Sequence, residues 1–350
     1  MNKNKKKIVS FGEIMLRFSP YIRGENLLQA SNFIVQPGGS ESNVAIALSN
    51  LGQPCSFLTK IPKEGFISRK IISYLRNHSV DTSNIVFGGS RIGTYWTEMG
   101  IGPRPYQVFY DRDHSSFCEI SFSDLKWNSL KKKYFWFHTS GISAAVSKKS
   151  CYTLRKILIS SKSDLITSID LNYRSKLWRW TGQRKQDIYR IMWDLCSNVA
   201  LLSGNEADFS DALGFTIPTT QDIAGYTNIA QECFKRLRNL RYIAISLRKL
   251  YSASENDWSG ILFVRKGKRF DSYTAHKTRI TNIVDRVGTG DSFTAGIIFG
   301  LINYKNNFQK TLNFAVALST LKHSIRGDAS IFTACDVENY FKNSEAKILR

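Results

Sequence analysis

The chain has 350 residues, 42% hydrophobic and 13% aromatic; that is enough apolar side chain to bury a core, and it excludes a disordered or collagen-like polymer. Lys and Arg number 49 against 28 Asp and Glu, a net charge of +21. Such a balance points to nucleic acid, an anionic membrane surface, a phosphate-bearing ligand, or compositional drift in a chain rich in Lys, Asn, Ile and Ser, because global charge bears on steering and solubility and not on fold.

Six cysteines are scattered without a C-x-x-C pair, so neither a zinc site nor a disulfide framework is expected and a reducing compartment fits. The segment 1–7, with four lysines, is basic, but Gly12, Glu13 and Arg17 break the apolar run that follows, unlike a signal peptide. No run of about 18 apolar residues could span a membrane. The cytoplasm is the expected location, with no membrane and no specific nucleic-acid partner.

Residues 8–11 form a short apolar run that predicts a first strand, and Pro37-Gly38-Gly39 reads as a loop. Val44, Ala45, Ala47, Leu48 and Leu51 recur at helical spacing and predict a helix over 40–51, stopped by Gly52. A strand over 55–60 and a helix over 67–77 follow. This alternation predicts an α/β fold, a doubly wound, mostly parallel sheet flanked by helices. The rhythm breaks over 91–122, where Thr94 to Glu98 and Gln107 to Tyr110 alternate like half-exposed strands. These predict a small antiparallel β lid, to which 16–35 adds strands. Alternation resumes with strands over 134–138, 165–170, 199–202 and 242–247 and helices over 148–161, 186–196 and 228–237. Strands over 260–264 and 271–275 precede closing helices over 292–304 and 311–323. No repeat or low-complexity linker appears, so one domain over 1–350 is expected, with the lid segments inserted in it.

The sharpest constellation is Asp285-Arg286-Val287-Gly288-Thr289-Gly290-Asp291. Gly288, Thr289 and Gly290 lie where a strand feeds a helix, so backbone N–H groups and the positive helix terminus can form an anion hole for a phosphoryl group. Asp291 beside it can accept a proton from an attacking hydroxyl; the same pattern also suits a mere N-cap. A second glycine-rich turn, Gly38-Gly39-Ser40-Glu41-Ser42-Asn43, enters a helix about 250 residues earlier. Ligands of open α/β sheets bind at the carboxyl ends of strands, so both turns can face one crevice.

These two turns, in this order, resemble the hallmarks of the ribokinase-like (PfkB) carbohydrate kinases. Supporting runs include Phe11 to Arg17, Gly93 to Trp96, Tyr110-Asp111-Arg112, Asp170 to Trp178 and Arg326-Gly327-Asp328. Within the family the chain most resembles members acting on 2-keto-3-deoxygluconate. The resemblance implies ATP and Mg2+ as cofactors, a monovalent cation being a further one it admits, and a homodimer or higher homo-oligomer. It implies that Gly39, Ser40, Glu41, Ser42 and Asn43 contact the sugar, and that Tyr95, Tyr110 and Arg112 close over it from the lid. Arg112 has a planar fork suited to a substrate carboxylate. Asn172 and Arg174 would reach the nucleotide phosphates, Arg174 bridging to the sugar, and Asp328 the far hydroxyls. Asn205-Glu206-Ala207-Asp208 resembles a magnesium-organising N-x-x-E motif with Asp at its last position, which leaves Glu206 and Asp208 as alternatives acting through water. Ser246 and Arg248 fall where many members carry T-x-G beside the nucleotide.

The expected reaction is direct transfer of the γ-phosphoryl group of ATP to a terminal primary hydroxyl of a small sugar acid. A neutral-sugar kinase such as a fructokinase is the alternative within the family. A non-catalytic polyanion-binding protein on a kinase fold is the alternative outside it, supported only by the charge.

Overall fold

The computed structural model describes residues 7–218 and 223–342; residues 1–6 of the basic N-terminal segment read above therefore lie outside the described residues. In chain order the strands are β1 (Lys7–Phe11), β2 (Met15–Pro20), β3 (Phe33–Gly38), β4 (Cys55–Leu58), β5 (Lys60–Ile61), β6 (Val86–Phe87), β7 (Thr94–Glu98), β8 (Gln107–Asp111), β9 (Tyr134–Ser140), β10 (Ile166–Asp170), β11 (Leu201–Asn205), β12 (Tyr242–Ser252), β13 (Glu255–Lys266), β14 (Arg269–Thr274) and β15 (Thr278–Ile280). The α-helices are α1 (Ser40–Asn50), α2 (Phe66–Asn77), α3 (Trp127–Leu130), α4 (Gly141–Ala145), α5 (Lys148–Ser161), α6 (Lys185–Cys196), α7 (Glu206–Leu213), α8 (Ile223–Arg236), α9 (Thr289–Asn303), α10 (Phe308–Lys322) and α11 (Ala334–Lys342).

Period-2 alternation of apolar residues on both faces of the strands dictates a sheet covered on both sides. Val9, Phe137, Ile169, Leu202 and Ile245 pack into one buried cluster with α5, α6, α7 and α8. Their chain neighbours Ile8, Trp136, Leu201 and Ala244 pack into the other, with α1, α2, α9 and α10. The main sheet runs β14-β13-β12-β11-β10-β9-β1-β4, with β15 on β13. From β12 to β4 every pairing is parallel, while β13 and β14 add antiparallel strands at one edge. Because β1 lies between β9 and β4, the connections diverge there and open a crevice at the carboxyl ends of the strands.

A separate four-stranded sheet, β3-β2-β7-β8, forms the expected lid. Its outer pairings are antiparallel, and β2 and β7 between them run parallel. Phe18 stacks on Trp96 at 4.4 Å, and Phe33 meets that indole edge-on at 5.1 Å.

The structure corrects several boundaries. The lid ends near Asp111, not Phe122: Phe117 and Ile120 are fully buried, and Phe117 lies 5.3 Å from Phe11 in the main core. Within 16–35, the segment between β2 and β3 is turn, not strand. The strand expected over 199–202 is β11, displaced toward Asn205 because Val199 and Ala200 form the turn that enters it. The β12–β13 hairpin extends beyond its predicted apolar centre through Arg248 to Tyr251, whose exposed side chains carry no buried-strand pattern. Helix α9 begins at Thr289, three residues before the predicted start.

Candidate active site

The crevice is a cleft of about 550 Å3 lined together by residues of the early glycine-rich turn, the small sheet and the Gly288–Asp291 turn. At its floor, Asp291 occupies the third position of α9, whose N-cap is Gly288. Its side chain does not cap the helix. Both carboxylate oxygens face α1: Ser40 Oγ donates to Oδ1 and Asn43 Nδ2 to Oδ2, each at 2.7 Å. Asn172 Nδ2 in turn donates to Ser40 Oγ at 2.8 Å. The N-cap reading of Asp291 is therefore replaced by that of a carboxylate oriented by the early turn. Burial pushes its pKa up, and the bonds from Asn43 and Ser40 oppose that shift. N–H groups in the first turn of a helix have no acceptor within it, so those of Gly290 and Asp291 are available to an anion.

Gly288 adopts φ +78°, and a Cβ there would lie 1.7 Å from the backbone oxygen of Asp328. A left-handed non-glycine residue costs about 1–2 kcal/mol before any clash. Gly288→Ala is therefore expected to lower the melting temperature and to abolish most turnover by moving the anion hole. A melting curve and a rate measurement check both, and wild-type values would show that the loop relaxes freely.

The other early-turn residues divide. Gly39 lines the cleft and is pressed against the backbone oxygen of Glu13, 2.2 Å from where a Cβ would stand. Ser42 turns inward and donates to the Gly39 carbonyl at 2.8 Å; it is absent from the cleft lining. Glu41 borders the cleft, but its Oε1 accepts from Ser140 Oγ at 2.6 Å and Ser143 Oγ at 2.7 Å, tying α1 to the start of α4. Burial raises its pKa. The sugar contact expected of Ser42 is thus replaced by a structural one, while Glu41 gives Oε1 to structural contacts and keeps Oε2 without a hydrogen-bond partner.

From the lid, Tyr95, Tyr110 and Arg112 all reach the cleft, with the two phenol rings 6.0 Å apart. Arg112 is buried, and its Nε donates to Glu13 Oε2 at 2.9 Å while Nη2 reaches the same oxygen. The fork expected to await a substrate carboxylate is already engaged by a carboxylate of the chain. Asp328 likewise faces the cleft, yet Oδ1 accepts from Arg17 Nη1 at 2.6 Å and Oδ2 from the Tyr95 hydroxyl.

Asn172 and Arg174 just after β10, Asn205 at the end of β11, and Ser246 and Arg248 in the middle of β12 line one wall of the cleft. Asn172 holds a left-handed backbone at φ +37°. Asn205 caps α7 in a capping box with Asp208: Asp208 N donates to Asn205 Oδ1 at 3.1 Å, and Asn205 N to Asp208 Oδ2 at 2.9 Å. Tyr173 N donates to Asp208 Oδ1 at 2.9 Å. A carboxylate so engaged is held in place by the backbone. No group of three or more potential metal ligands occurs among the described residues, so Glu206 and Asp208 do not form a ready cage. They suit a hydrated magnesium ion, which keeps most of its waters and takes one or two carboxylates. Burial, and after it the neighbouring Asp208 and Asp291, raise the pKa of Asp170, against the pull of Arg174.

Sequence reasoning placed Asp285, Glu13, Arg17 and Asp170 inside motifs without giving them a role, and missed Tyr106 altogether. Arg17 is fully buried between Asp285 and Asp328. A buried arginine within the strand pattern of β2 was the available signal, since a charge on a core face needs a partner.

A family model described as pfkB family carbohydrate kinase matches residues 5–246. A 2-dehydro-3-deoxygalactonokinase of Haloferax volcanii is 28% identical over 98% of this chain and 99% of its own. The crystal structure of a 2-dehydro-3-deoxygluconokinase of Thermotoga maritima is 34% identical, superposes with a TM-score of 0.88, and spans 97% of this chain and 99% of its own. Fructokinase-1 of Zea mays is 31% identical over 58% of this chain and 61% of its own.

Proposed function

Since the chain belongs to the pfkB family of carbohydrate kinases, we propose that it transfers the γ-phosphoryl group of ATP to the primary hydroxyl of a keto-deoxy sugar acid, 2-keto-3-deoxygluconate being the expected substrate. The carrying observation is the placement of Asp291 between the early turn, through Ser40 and Asn43, and the helix start that forms the anion hole. The hydroxyl oxygen attacks the γ-phosphorus while Asp291 takes its proton. The bond to the β,γ-bridging oxygen breaks in line, and the first-turn N–H groups of α9 carry the charge on the transferring group. Tyr95 and Tyr110 cover the sugar and exclude water. Asn172, Arg174, Ser246 and Arg248 face the nucleotide, and Glu206 and Asp208 would hold a hydrated magnesium ion, which would supply positive charge against the phosphates. Two of the relatives that match nearly the whole chain bear names of keto-deoxy sugar-acid kinases, at 28% and 34% identity, against 25% for a probable fructokinase that matches 97% of it, which supports the acid.

The Arg112–Glu13 pair favours a second reading, a neutral sugar such as fructose, because the pair cancels the charge an acid would seek. An ADP-release assay with 2-keto-3-deoxygluconate, 2-keto-3-deoxygalactonate and fructose separates them. The acid reading expects the highest kcat/KM for a keto-deoxy acid, and a preference for fructose overturns it. Failure of every sugar in the panel to elicit ADP release, together with DNA retention at moderate salt, would return the polyanion reading.

Exposed Tyr21, Ile22, Leu28 and Phe109 stud the lid, Leu28 at 97% exposure. Apolar side chains gathered there suit a contact between copies, and a homodimer through the lid is the expected assembly. Light scattering at micromolar concentration is expected to give twice the chain mass; a monomer would remove this expectation. All six cysteines are free thiols, in keeping with a cytoplasmic location. No helix among the described residues is long and apolar enough to cross a membrane.

A further inference from the structure

Arg17, in the middle of β2, is 1% exposed and sits at the junction of three parts of the site. Its Nη1 lies 2.7 Å from Asp285 Oδ2 and 2.6 Å from Asp328 Oδ1. Nε donates to Thr97 Oγ1 on β7 at 3.0 Å, and Nη2 donates to the Tyr106 hydroxyl at 3.0 Å. Each carboxylate it holds shapes the anion hole. Asp285 Oδ1 accepts from Val287 N at 3.1 Å, in the turn that leads into Gly288, and Asp285 Oδ2 accepts from Gly327 N at 3.2 Å. Asp328 presses its backbone oxygen on Gly288 and accepts from the Tyr95 hydroxyl. One guanidinium thus joins the sugar-covering sheet to both loops that set the phosphoryl-binding turn.

We propose that Arg17 is a positioning residue: through Asp285 and Asp328 it holds the lid and the anion hole in one fixed relation, so that acceptor hydroxyl and γ-phosphorus meet in line. The proposal rests on the phosphoryl-transfer reading of the same site. A planar fork with hydrogen bonds in several directions fixes orientation as well as charge, which a lysine ammonium does not do. Loss of that orientation lowers the rate of the chemical step while leaving each substrate its own contacts. A purely structural role would instead lower stability and leave turnover of the folded protein alone.

Two variants test it, with ATP and whichever sugar the wild type phosphorylates. For Arg17→Lys, with folding checked by circular dichroism and melting, kcat is expected to fall about 10- to 100-fold while both KM values stay within about threefold. Thr97→Val removes the acceptor of Nε at a buried position outside the cleft lining, and its kcat is expected to fall about 3- to 10-fold with KM again retained. If Arg17→Lys does not fold, Thr97→Val decides alone. A folded variant with wild-type kcat and a lowered melting temperature, or one whose whole loss lies in KM, overturns the proposal. Absence of turnover by the wild type with every sugar strikes the acid-kinase reading instead, so the two failures are distinguishable.

Discussion

Asp291→Asn is expected to leave the fold and ATP binding intact and to lower kcat by roughly 10²–10⁴, the usual share of a general base. The substitution is nearly isosteric, and its hydrogen bonds can be kept. The amide oxygen still accepts from Asn43 Nδ2, and the amide nitrogen faces Ser40 Oγ, a hydroxyl that can accept as well as donate. What disappears is proton affinity at the atom facing the acceptor hydroxyl. A pH profile provides a second check. Burial raises the pKa of Asp291, and the base works only as the carboxylate. The rate is therefore lost as pH falls through a value above the ordinary aspartate range, and the acid limb of wild-type kcat/KM is displaced upward. Wild-type turnover in the Asn variant would reduce Asp291 to a strut between α1 and α9.

The second large effect concerns Arg112 and distinguishes acid from neutral sugar. Removing Arg112 alone would strand Glu13, a buried carboxylate; breaking one partner of such a pair costs about 3–5 kcal/mol of stability and confuses the measurement. The double variant Arg112→Gln, Glu13→Gln removes both charges and keeps side-chain volume. A keto-deoxy acid whose carboxylate takes the fork from Glu13 loses a charge-assisted interaction of about 1.5–3 kcal/mol. Its kcat/KM is then expected to fall about 10- to 150-fold at 1.4 kcal/mol per decade. A neutral sugar loses ordinary hydrogen bonds of about 0.5–1.5 kcal/mol, or about 2- to 10-fold. Equal penalties for 2-keto-3-deoxygluconate and fructose would rule out a carboxylate held by Arg112.

The parts of this site that were legible in the sequence are those whose chemistry is local. Gly288-Thr289-Gly290-Asp291 and Gly38-Gly39 announce tight turns into helices within a few residues, and the structure places both at the crevice. The strands with period-2 apolar faces were legible for the same reason. Pairings over long separations were not. Glu13 and Arg112 lie 99 residues apart, and Arg17 and Asp328 lie 311 apart. Each residue alone looks like a surface charge, and only the folded chain shows that they satisfy one another in the interior. Glu41 illustrates the converse: it sits in the right turn, but Ser140 and Ser143, far along the chain, claim one of its carboxylate oxygens. The lid boundary failed because Phe117 and Ile120 follow the lid strands without a break in polarity, while their burial depends on Phe11 at the other end of the chain's first hundred residues.

The separation between Asn43 and Asp291, 248 residues, also governs the order in which the molecule can be assembled. At a synthesis rate of roughly 5–20 residues per second, the base leaves the ribosome about 12–50 s after the turn that orients it. By then β4, β1, β9, β10, β11 and β12 have all been made and can pair. Helix α1, which packs on α9, must wait through that interval with part of its buried face uncovered and with Ser40 and Asn43 lacking their acceptor. A nascent or truncated chain that stops short of Asp291 can thus complete its parallel strands and still have nothing to receive the proton.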